Sequence, residues 1–309
     1  MSLAAALATL ASLPQVQRAE QRVREATTQL RWHEGLRRRW NEARAENAVR
    51  TAVGVAALAG ARVPASLLRA EVARSAGIVT ARQAPSPETQ RAEPAGPALD
   101  AGGGAVPADF AIALGAWHAA ADVVSHFPPL SGRPGRAQAP PAPALLAGWH
   151  RSLTSTRTGS DLAPAGVDAA WEGARSLPGI PVSPQHAALV ADVLSGAGQG
   201  TGANVLVRCA IVQAELATGA AFPVAGAELG VLAGWYVAVL GGLDPTGVAH
   251  PGALAVSEPA QYRSALAAYA TGSPDGVVQW VEFVARSWEE GALIGRAVCD
   301  SVLAGRTVG

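Results

Sequence analysis

The sequence predicts an all-α fold, on three observations. Apolar residues recur at helical spacing through most of the chain, as Leu36 and Trp40 do inside an Arg/Glu/Ala-rich stretch. Oppositely charged residues fall four apart at Glu34–Arg38, Arg38–Glu42 and Glu46–Arg50, the spacing that lines partners along one solvated helix face. No segment shows the sustained two-residue alternation of a half-buried strand.

The elements follow in order. Residues 15–30 and 34–61 are rich in Arg, Glu and Ala and read as two helices. Pro64 opens a short helix over 65–74, because proline is tolerated in a first turn. Residues 84–107 are Pro, Gly and polar, the composition of a linker or long loop. Residues 110–125 read as a buried helix, and 127–143 as a second Pro-rich break. Shorter helices over 145–153 and 167–177 flank a Ser/Thr/Gly loop. Helices over 184–194, 205–218, 230–241, 259–271 and 276–303 complete the chain, with a short hairpin or extended segment near Pro178–Val182. The organisation is an N-terminal helical region, 1–83, a linker, 84–107, and a helical domain, 108–309, that packs with the first as one unit.

Composition bounds the function. A chain of 309 residues, 49% hydrophobic and 16% charged, can bury a full core and belongs to the folded class. Every basic residue is Arg, so a P-loop lysine, a Schiff base and a lysine general base are all excluded. A net charge of zero argues against bulk electrostatic binding to nucleic acid. Residues 15–50 carry nine Arg against five Glu, including Arg37–Arg38–Arg39, which reads as a solvated helix face. Cys209 and Cys299 sit in apolar helical runs and are expected to be buried thiols in a reducing, cytoplasmic setting. The apolar start, Met1–Leu13, has no basic residue ahead of it, and the longest apolar stretch, Gly230–Leu243, is too short to span a bilayer. Neither a secretory signal nor a membrane partner is expected.

Two motifs invite functional readings that their surroundings do not support. Gly198–Ala203 fits a relaxed dinucleotide fingerprint, but a helical run precedes it where a strand is required, so a nicotinamide-type cofactor is the weaker reading. The six histidines show no metal-ligand spacing on one face, and no metal is expected. The eight tryptophans, about one per helix, are the pattern of core residues.

The informative stretch is Ala210–Pro245, in which two apolar helical runs flank a short Gly/Pro-bearing loop at 219–226. This layout resembles the Fic (Fido) family of AMP-transferring enzymes, whose loop reads His-Pro-Phe-x-x-Gly-Asn-Gly-Arg-x-x-Arg. Laid on it without gaps, Phe222 matches, but Ala220 stands in place of the His. Ala225, Gly226 and Ala227 replace Gly-Asn-Gly, and Glu228 and Val231 replace the two arginines. Downstream, Gly242-Leu-Asp-Pro245, Pro259–Leu266, Tyr269 and Gly272–Trp280 are similar to Fic-like proteins of high-GC bacteria. Upstream, Leu30–Trp40 and the helix that follows resemble the family's N-terminal helices. There the inhibitory motif Ser/Thr-x-x-x-Glu-Gly reads Val55-Ala-Ala-Leu-Ala59-Gly60, keeping the Gly and losing the Glu. The resemblance spans roughly 15–75 and 185–296.

The resemblance implies a helical Fic-like bundle without the family's chemistry. A methyl group at Ala220 cannot take a proton from a target hydroxyl. Gly226 offers no oxygen to Mg²⁺. Val231 offers phosphate oxygens nothing, and Glu228 repels them. The expected function is a catalytically inactive binding or scaffold module, with no cofactor, acting on an unknown protein partner and capable of homo-oligomer formation. A vestigial loop at Ala220–Val231 keeps backbone N–H groups for an anion. The alternative is a divergent nucleotidyl- or phosphotransferase with Glu228 as the only ionisable group in its loop. Phe222 is expected to anchor the core, and Glu228 to contribute little to stability.

Overall fold

The computed structural model describes residues 3–75, 107–131, 140–157, 179–196 and 204–305, and among them the chain is all helical, with no strand. The helices in chain order are α1 (Leu3–Ala11), α2 (Pro14–Arg31), α3 (Glu34–Leu58), α4 (Ala65–Ser75), α5 (Ala108–Ser125) and α6 (Ala142–Thr154). They continue with α7 (Pro184–Ser195), α8 (Val205–Ala217), α9 (Gly226–Leu240), α10 (Ala253–Ser257), α11 (Pro259–Ala270) and α12 (Pro274–Leu303). The expected helix over 167–177, the glycine motif at 198–203 and the linker up to residue 106 lie outside the described residues.

Local chemistry sets most boundaries. Ser183, Asn204 and Ser273 cap α7, α8 and α12, their side chains accepting the N–H groups of His186, Val207 and Gly276. Prolines occupy the first turns of α2, α6, α7, α11 and α12, where a missing N–H costs nothing. Two helices exceed the expectation. The run that forms α1 is nearly all Ala and Leu, the strongest helix formers, and α10 is a single turn inside a loop.

The centre of the molecule is the hairpin of α8 and α9. Helix α9 is buried almost all round, as a helix apolar on every face must be. Gly226, Gly230 and Gly234 form one stripe along it, and α8 lies directly on that stripe. A Cβ on Gly230 would sit 2.8 Å from the Gln213 carbonyl oxygen, and one on Gly226 or Gly234 would overlap Leu216 or Gln213 outright. The 30-residue α12 closes the fold, carrying the buried side chains of Trp280, Trp288 and Val298. It runs parallel to α2, to which it is tied by Arg22 with Glu282 and Glu289, Arg296 with Gln29, and His33 with Asp300.

Residues 242–252 thread between α3 and α12. The buried Asp244 carboxylate organises this loop, accepting the Thr246 N–H at 3.0 Å, the Thr246 hydroxyl at 2.6 Å and the Ala249 N–H at 3.1 Å. From α3, the Arg44 guanidinium donates to the carbonyls of Thr246 and Pro128 at 2.7 and 2.8 Å. Burial lowers the Arg44 pKa to about 10, still leaving it charged at neutral pH, and burial raises that of Asp244.

The expected charge pairs are partly rearranged. Glu46–Arg50 forms at 3.1 Å, but Glu46 is buried and also accepts two bonds from Arg69, so this is no solvated face. Glu34 pairs with Arg37 and Glu42 with Arg39, three apart instead of four, a spacing that shares the same helix face, and α3 departs from helical geometry at Arg39 (φ −126°, ψ 29°). The tryptophan expectation also needs one correction. Trp149, Trp235, Trp280 and Trp288 are fully buried, whereas Trp32, at the end of α2, is 78% exposed.

Candidate functional site

The loop between α8 and α9 turns on one backbone conformation. Ala225 sits in the left-handed region (φ 56°, ψ 19°), which a residue with a Cβ adopts at a cost, and its carbonyl accepts the Leu229 N–H at 2.9 Å to start α9. Helix α9 therefore begins at Gly226, four residues before the periodicity places it. The cause is steric: the absence of a Cβ at Gly226 lets the turn close against the Leu216 carbonyl. The same fact decides whether a metal ligand fits there. An Asn or Asp side chain at 226 would overlap the Leu216 oxygen unless α8 and α9 moved apart.

The aromatic residue of the loop is an anchor, as the sequence suggests. Phe222 is 1% exposed and packs on the His150 ring of α6, with centroids 4.5 Å apart. His150 is itself fully buried and pins two segments at once. Its Nδ1 accepts the Gly179 N–H at 2.8 Å, which places the ring proton on Nε2, donating to the Val224 carbonyl at 3.0 Å. Desolvation pushes its pKa down to about 4, with the nearby Arg157 charge acting in the same direction and the Val224 carbonyl opposing. The imidazole is neutral at neutral pH and both nitrogens are engaged. The Val182 N–H donates to the Ala221 carbonyl at 2.9 Å, so the segment after Gly179 runs beside the loop in a single extended contact, without forming a strand.

Glu228 corrects the expectation of an indifferent loop carboxylate. It lies in the first turn of α9, is 5% exposed, and receives the Arg157 Nη2 at 2.7 Å, with both side chains buried. A carboxylate in a first turn suits the helix dipole, and Arg157 neutralises it. The Glu228 charge also helps raise the Tyr262 pKa, behind the larger effect of burial. Removing either partner would strand a buried charge, which is among the more expensive single changes a fold can suffer. His150 and Arg157 carry no motif spacing in the sequence. They lie 74 and 71 residues from their partners in the loop, a separation no local pattern reveals.

The remaining motif positions differ in burial. Val231 is 4% exposed, and a Cβ on Gly252 would meet its Cγ2 at 2.9 Å. Ala220 and Ala227 are half-buried. Of the inhibitory-motif positions, Val55 is 2% exposed, Ala59 is half-buried, and Gly60 is exposed at the end of α3 with φ 85°. Val231 reaches Gly252, while Gly54, next to Val55, faces His250 and Val256. The imidazole of His250 is buried, and its pKa is pushed down to about 4 by desolvation, with the Arg50 charge adding to the effect.

Chemically, this arrangement positions groups without presenting them. Among the described residues, the ionisable groups at the loop are His150, held neutral by its two hydrogen bonds, and Glu228, paired with Arg157. Neither is free to serve as a general base in this geometry. No group of three or more His, Cys, Asp and Glu with metal-binding proximity occurs among the described residues. No helix among them is long and apolar enough to cross a membrane. Both cysteines are buried and unbonded to one another, with thiol pKa values raised by burial, to about 12 for Cys299. Comparison with protein-family models and with curated proteins finds no match for the chain.

Proposed function

We propose that this chain is a degenerate, catalytically inactive Fic-fold protein, a pseudo-AMP-transferase that works as a binding or scaffold module in the cytoplasm. One observation carries the reading. The loop at the family's nucleotide position is locked into the core by Phe222 against His150 and by Glu228 against Arg157. The helix–loop–helix layout of α8 and α9, with Phe222 at the matched position, supports the family assignment. The overlap that a side chain at Gly226 would meet with the Leu216 carbonyl supports the reading that no metal ligand stands at this position. The partner is a protein, and a second copy of the chain is one form it takes.

Calorimetric titration of the purified protein with ATP and Mg²⁺, and separately with ATP alone and NAD⁺, tests this. The expected result is no heat of binding up to millimolar ligand. Micromolar, Mg²⁺-dependent ATP binding would overturn the proposal and favour a divergent nucleotidyl- or phosphotransferase.

A further inference from the structure

We draw no further inference here: the strongest candidate, the largely apolar cavity of about 440 Å³ between α3, α4, α5 and the end of α12, lined by Val49, Val72, Trp117 and Val302 with Arg39 and Glu42 at its edge, carries nothing because nothing in the structure shows what covers it.

Discussion

Acidification from pH 7 to 4.5 will destabilise this protein through two histidines that fold neutral, and His150 is the one whose share can be isolated. Its ring accepts a hydrogen bond from Gly179 at Nδ1 and donates one to Val224 from Nε2. Protonation would set two donors face to face. The folded pKa is about 4, against about 6.5 in an unfolded chain. The unfolded state therefore binds more protons between those values, and stability is fully present above pH 6.5 and drains away as the pH falls towards 4. The depression from about 6.5 to about 4 corresponds to ~3 kcal/mol in the limit, of which ~2 kcal/mol is lost by pH 4.5. His250, with a folded pKa of about 4, adds a term of the same sign. Urea denaturation at pH 7.0 and 4.5 reads the total. His150→Gln, which keeps a donor and an acceptor but cannot titrate, removes the share belonging to His150. The variant should lose about 2 kcal/mol less than the wild type across that interval. If the two proteins lose the same stability, the buried neutral imidazole is wrong.

Three single substitutions and one double variant probe the rest of the site. Phe222→Ala should cost about 3–5 kcal/mol by urea denaturation, since it empties the space against His150, whereas a loss below about 1 kcal/mol would mean that the loop is not an anchor. Glu228→Ala should cost about 3–5 kcal/mol by leaving Arg157 charged and unpaired, and Arg157→Met added to Glu228→Ala should recover part of it; unchanged thermal unfolding of the single variant would refute the buried pair. Gly226→Asn, which introduces the residue that the Fic motif carries at the proposed matching position, should lower stability by about 1–3 kcal/mol through overlap with Leu216, without conferring Mg²⁺-dependent ATP binding by calorimetry. An Asn variant as stable as the wild type would show that α8 and α9 are not in the contact described.

Periodicity made most helices legible, because it depends on neighbours within one or two turns. The start of α9 was not legible, since nothing about an alanine at 225 signals a positive φ. The kink at Arg39 was equally hidden, as was the choice of three-apart over four-apart ion pairs, since both spacings share one helix face. At the site, the loop and the identity of Phe222 as an anchor could be read from residue order. The roles of Glu228, His150 and Arg157 could not, because burial and partners arise from contacts across seventy or more residues. The Asp244 knot was visible only as a Gly-Leu-Asp-Pro turn; its N–H partners at Thr246 and Ala249 depend on how residues 242–252 fold back over the carboxylate.

The parallel pairing of α2 with α12 has a consequence for biosynthesis. Its ties join residues about 267 positions apart. At about 5–20 residues per second, a ribosome needs roughly 13–53 s to make that intervening chain. During that interval Val16, Ala19, Val23 and Leu30, buried in the finished protein, await the helix that α2 lies against. Non-local closure of this kind is slow, and it leaves apolar surface open to aggregation. The nascent chain thus has a long window in which chaperone holding matters, and a truncation that removes α12 would expose the same face permanently.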